Sequence, residues 1–137
     1  MNQNLEKGLC IALLCGALPV AAQMQQCPAN VGTIIQGNTA GRFCISNIDM
    51  NWWTGFSWCR AAGGHFATVT EACAGFAGSC ANLTGVSDIN KSLWLATPWK
   101  TVTAYFVNTS TGRVYEGNSA ATSNGRHQKY RVLCTLP

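Results

Sequence analysis

The stretch that most restricts what this chain can fold into is WWTGFSWCRAAGGHFA, Trp52 to Ala67. Read as a helix, it sets Trp52, Gly55, Phe56 and Cys59 at the i, i+3, i+4, i+7 spacing of one buried face. Asp49 or Asn51 can cap its start by accepting bonds from free amides of the first turn. Gly63 stops it, because a left-handed residue costs glycine little. His65 to Val69 leads on as an extended, partly apolar segment. A cysteine on the inner face of a helix, in a chain this rich in cysteine, suggests that a distant strand is stapled there.

Residues 1–22 read as a secretory signal, with Lys7 ahead of an apolar run from Leu9 to Leu18 and small residues Val20 and Ala22 before a cut at Gln23. The run is well short of the ~20 residues a bilayer span needs, and no later segment qualifies. The bulky Leu9 and Leu14 before Cys10 and Cys15 argue against a lipid anchor. Residues 23–137 are then expected to form one exported domain: secreted, periplasmic or at the cell surface. They keep Cys27, Cys44, Cys59, Cys73, Cys80 and Cys134, an even set that reads as a disulfide framework in an oxidising compartment. Zinc is the competing reading, but there is no C-x-x-C pair and His65 and His127 are the only histidines, so no metal or other cofactor is expected.

The formal net charge of +4 favours anionic partners mildly. Half of the positive residues of 23–137 fall late, at Arg113, Arg126, Lys129 and Arg131. Nucleic-acid binding would need a denser basic stripe, and none is present.

From Cys27 to Cys44 two short β-like runs flank Gly37-Asn38, the signature of a hairpin that a Cys27–Cys44 bridge would pin to the body. Thr70 to Gly78 reads as a weak second helix capped by Thr70 and held by a local Cys73–Cys80 bridge. Cys59 and Cys134 remain. The second half reads as β: Ser92–Thr97, a Pro98-Trp99-Lys100 turn, Thr103–Val107, Arg113–Tyr115 and Lys129–Thr135. A long polar loop, Glu116 to Gln128, precedes the last strand.

Trp52-x-x-Gly55-x-x-x-Cys59-x-x-x-Gly63-Gly64-x-Phe66-Ala67 resembles the first-helix signature of the C-type lectin-like domain. Cys27-Pro28 with Cys44 is similar to the opening hairpin of that family's long form. Leu93-Trp94-Leu95-Ala96 sits where the family has Trp-Ile-Gly-Leu, and Val132-Leu133-Cys134 resembles its closing strand. The resemblance covers most of residues 23–137. It implies an α+β fold of the C-type lectin-like kind, with two short helices, a small mostly antiparallel sheet and an N-terminal hairpin. It also implies the bridges Cys27–Cys44 and Cys59–Cys134. The calcium-dependent members' Glu-Pro-Asn or Gln-Pro-Asp triplet and Trp-Asn-Asp are missing, since Glu116-Gly117-Asn118 lacks the proline. Binding without calcium is therefore the expectation. The shortened second half looks more like bacterial members of the fold, found in adhesins, pilus-associated tips and receptor-binding proteins.

Three functions follow in order. The first is a non-enzymatic binding module for a protein or glycan at a cell surface. The second is a structural subunit of a pilus or envelope assembly. The third is a small hydrolase using His65 or His127, for which no pattern ties a nucleophile to either histidine. The candidate ligand-binding residues are Trp99, Lys100, Arg113, Tyr115, Asn118, Asn124, Arg126 and His127. They combine an aromatic in a Pro-containing turn with polar side chains that no core requires. Sequons at Asn82, Asn90 and Asn108 matter only for a eukaryotic secretory route.

Overall fold

The computed structural model describes residues 26–75, 79–86, 91–101, 103–118 and 128–137. The signal-peptide reading of residues 1–22, and Asn124, Arg126 and His127 of the candidate site, lie outside the described residues.

The chain is α+β. A hairpin of β1 (Gly32–Gln36) and β2 (Arg42–Ser46) is followed by α1 (Trp52–Ala61), the short β3 (His65–Phe66) and α2 (Val69–Cys73). After a 3-10 turn at Ala81–Leu83 come β4 (Ser92–Lys100), β5 (Thr103–Asn108), β6 (Arg113–Asn118) and β7 (Arg131–Thr135). The strands form one seven-stranded sheet in the order β1-β2-β7-β4-β5-β6, with β3 also paired to β7. All pairings are antiparallel except that of β4 with β7.

Asn51 caps α1, its side chain accepting from the Thr54 amide at 2.9 Å. Asp49 turns instead to Arg131 Nε, 3.2 Å away. At the far end Gly64 N–H donates to Cys59 O and Gly63 N–H to Arg60 O, with Gly63 at φ +85°. These two bonds close the last turn and swing the chain into β3. Gly55 is required by contact, because a Cβ there would lie 2.6 Å from the Phe66 ring. Phe66 therefore packs directly under the helix. This also corrects the expected inner face: Trp52, Gly55 and Cys59 are buried, whereas Phe56 is 43% exposed and leans edge-on against Trp52 and Phe66.

The sheet is covered on both sides. Cys44, Trp94, Val132 and Cys134 face Trp52, Cys59 and Phe66 in one cluster. Phe43, Ile45, Leu93, Leu95 and Leu133 face Val69, Ala72 and Leu83 in the other. Successive residues of β2, β4 and β7 thus enter opposite cores, as the strand period dictates. The buried indoles are satisfied: Trp52 Nε1 donates to Leu95 O at 2.7 Å and Trp94 Nε1 to Met50 O at 3.2 Å.

The disulfides are Cys27–Cys44, Cys59–Cys134 and Cys73–Cys80. The second closes the longest loop, 75 residues of separation, which by loop-closure entropy is worth about 4 kcal/mol.

Three local readings change. The second helix starts earlier than expected, with Thr68 rather than Thr70 as its cap, in a capping box with Glu71. Pro98-Trp99-Lys100 belongs to β4 and not to a turn; the β4–β5 register slips on both sides of Pro98, where a residue without an N–H is tolerated. β6 runs to Asn118, so it takes in the first residues of the expected Glu116–Gln128 loop.

Buried Asn82 welds the hairpin turn to the second core. Its Oδ1 accepts from Thr39 N, Thr39 Oγ1 and Ala40 N, and its Nδ2 donates to Ala40 O and Ala72 O. A glycan on this sequon is incompatible with the folded state. Asn82→Ala orphans all five partners, so a loss of about 2–4 kcal/mol is expected, read as a lower urea midpoint; a loss under about 0.5 kcal/mol, the range of an ordinary surface change, would show that water replaces the side chain.

Candidate ligand groove at the fork of the sheet

β7 has β2 along one edge and two successive partners along the other. Arg131 and Val132 pair with Leu93 and Trp94 of β4, while Cys134 and Thr135 pair with Phe66 and His65 of β3. After Trp94, therefore, β4 parts from β7, and the segment joining β3 to α2 enters the fork. Ala96 N–H donates to Ala67 O at 2.7 Å and Val69 N–H to Thr97 Oγ1 at 2.9 Å. Beyond this contact lies a groove of about 290 Å³ lined by Val69, Thr70, Thr97, Pro98, Trp99 and Tyr105.

Its aromatic wall sets Trp99 of β4, at the register slip beside Pro98, against Tyr105 of β5. Trp99 is 47% exposed, and its ring centroid is 5.4 Å from that of buried Tyr105, tilted by 54°. Lys100 Nζ stands 5.9 Å from the Trp99 ring centroid. Glu116 of β6 is the cross-strand partner of Tyr105. Burial, and then the Glu116 charge, push the Tyr105 phenol above its ordinary pKa, which keeps it neutral. The wall thus offers an open indole face with a cation on it and a carboxylate on the neighbouring strand. It can stack on a flat or ring-shaped ligand and hydrogen-bond its periphery.

The candidate residues do not all meet here. Trp99 lines the groove, whereas Lys100 does not and reaches only over the Trp99 ring. Tyr115 lies on the opposite face of the sheet, stacked on Phe106 at 5.5 Å beside Trp94 and Tyr130, and Arg113 shares that face by alternation along β6. Asn118 ends β6 opposite Thr103. Sequence reasoning missed Tyr105, Thr97, Val69 and Thr70. Tyr105 reads there as one more apolar strand residue, and nothing in the order of residues brings α2 to the end of β4.

His65, considered for catalysis, pairs with Glu71: Nε2 and Oε1 are 2.7 Å apart at the surface. The other carboxylate oxygen accepts from Thr68 N, Thr68 Oγ1 and Thr135 Oγ1. Glu71 thus fastens the first turn of α2, one wall of the groove, to β3 and β7. Neither side chain lines the groove itself. Among the described residues no group of three or more His, Cys, Asp or Glu side chains could hold a metal ion, and no helix is long and apolar enough to cross a membrane.

The Glu71 latch gives a pH signature. Burial pushes the carboxyl up, but the Thr68 amide, the His65 hydrogen bond and charge, and the Thr68 hydroxyl outweigh it, so its pKa in the fold is below the ordinary value. A group depressed in the folded state stabilises above its unfolded pKa, about 4.3 for Glu. That stabilisation is lost as pH falls through the folded pKa. The deficit of Glu71→Gln relative to the parent, under about 1 kcal/mol for so exposed a pair, should shrink in acid as the Glu71 carboxylate is protonated. Urea titrations from neutrality into acid check it; a deficit that grows in acid contradicts the assignment.

The chain matches no protein-family model and no curated protein.

Proposed function

We propose that this chain is an exported, calcium-independent binding module of the C-type lectin-like kind, and that its groove takes a protein or glycan ligand at a cell surface. The observation that carries the reading is the Trp99–Tyr105 wall. A large aromatic held half out of water at the end of β4, backed by a buried ring and flanked by Lys100, is a platform of low ordering cost. The family part of the reading rests on the Trp52–Ala67 signature and is supported by the Cys59–Cys134 bridge from first helix to last strand. Export is supported by the three disulfides. The proposal assigns no catalysis, because the His65–Glu71 pair is used in fastening α2.

A second reading, a subunit of a pilus or envelope assembly, is favoured by one observation. Trp53, 58% exposed, and Phe56 form an aromatic patch on α1, the kind of surface that packs against another chain.

Glycan and host-protein arrays with the disulfide-bonded chain identify a ligand. Trp99→Ala should then weaken its binding at least tenfold, about 1.4 kcal/mol, with the thermal midpoint little changed because the ring is half exposed. Saturating Ca²⁺ should leave both affinity and midpoint unaltered, since a ligand of the native state alone must raise the midpoint. Undiminished binding by Trp99→Ala removes the groove from the reading, and loss of binding in Trp53→Ser with the groove intact transfers it to α1.

A further inference from the structure

The two ends of the sheet are unlike. The β6 edge carries Arg113 and Glu116 and is bridged at Arg113 by Ser79. Charges on an edge strand oppose strand addition. The β1 edge, Gly-Thr-Ile-Ile-Gln, carries no charge, no proline and no bulge, and among the described residues no strand lies beside it.

The register shows which backbone groups that edge presents. Gly37 N–H donates to Gly41 O and Asn47 N–H to Val31 O at the two ends of the hairpin. Alternation between these bonds turns the amides and carbonyls of Thr33 and Ile35 toward β2, and those of Ile34 and Gln36 outward. Gly32 N–H bonds to Pro28 O, leaving its carbonyl on the outer side. The Ile34 side chain is 43% exposed. It borders a hollow of about 400 Å³ lined by Gln26, Cys27, Ala29, Gly32, Thr33 and Ile34. Residue 32 must be glycine, since a Cβ there would stand 2.5 Å from Cys44 Sγ of the Cys27–Cys44 bridge.

We infer that β1 is a homotypic pairing edge: two copies of this chain join β1 to β1, antiparallel about a two-fold axis, making one sheet continuous across both molecules. A second copy is the occupant because the edge is self-complementary. With the axis at Ile34, the outward amide and carbonyl of each Ile34 meet those of the other. Each Gln36 amide meets the outward Gly32 carbonyl across the axis, and the Gln36 side chain lies over the Gly32 hollow. The two Ile34 side chains, on the same face, shield each other from water. An uncharged edge repels no identical edge and holds nothing for a charged strand to pair with. One five-residue strand pair is small beside a permanent interface, so the dimer is reversible and dependent on concentration. β2 and β7 separate this edge from β4 and its groove, so the groove stays open in the pair.

Sedimentation of the purified disulfide-bonded chain from micromolar to millimolar concentration tests this. A monomer–dimer equilibrium is expected. Ile34→Lys, which sets two ammonium groups face to face at an exposed position, should raise the dimer dissociation constant at least tenfold without lowering the thermal midpoint. Trp53→Ser, on the exposed α1 patch, should leave the dissociation constant within twofold. Amide exchange reads the same contact in the unaltered chain: Ile34 and Gln36 amides gain protection as concentration rises, while Thr33 and Ile35 are protected throughout. A chain that stays monomeric, a dimer broken by Trp53→Ser and not by Ile34→Lys, or exchange at Ile34 and Gln36 indifferent to concentration would each overturn the inference.

Discussion

The pairing of β7 with three other strands is the constraint on which the rest depends. Val132, Leu133 and Cys134 join the hairpin side of the sheet to the β4–β6 meander, present side chains to both cores, and are anchored to α1 by the Cys59–Cys134 bridge. Without this strand the β1–β2 hairpin and the meander have no shared hydrogen-bond ladder. The fork that makes the groove follows from the same fact, since one edge of β7 cannot hold both β3 and β4 at the same level.

Much of this was legible in the order of residues, and the reasons differ by element. α1 was, because one buried stripe and a double glycine each have a single physical explanation. The strands were found but not their two-sided burial. Phe43-Cys44-Ile45, Leu93-Trp94-Leu95 and Val132-Leu133-Cys134 are unbroken apolar triplets, and period-two alternation vanishes when both faces are dry. Thr68 was overlooked as a cap because Thr70 sits closer to the alanines and glycines that suggested a helix; the capping box with Glu71 needs a threonine three residues before the glutamate. Phe56 was placed inside by helical spacing alone, which cannot see that Gly55 lets another ring take the space beneath the helix.

The site was legible only in part, for a geometric reason. Trp99 and Lys100 could be named as adjacent polar-aromatic residues outside the core pattern. Their neighbours come from α2 and β5, and only the fold brings these together. Arg113 and Tyr115 illustrate the converse. They lie close to the groove in sequence order, yet the pleat turns them to the far side of a sheet one residue thick, where Tyr115 continues the ring ladder of Trp94, Phe106 and Tyr130.

The position of β7 along the chain has a consequence for how the protein is made. Every strand it joins leaves the ribosome before it does, and so do five of the six bridged cysteines. Until Arg131–Thr135 emerges, the hairpin has no partner across the sheet and Cys59 no native one. Closure of the sheet is thereby deferred until β7 itself has emerged. The same delay leaves Cys59 open to mispairing with the cysteines that precede Cys134, so oxidative folding should depend on disulfide reshuffling more than on the oxidant.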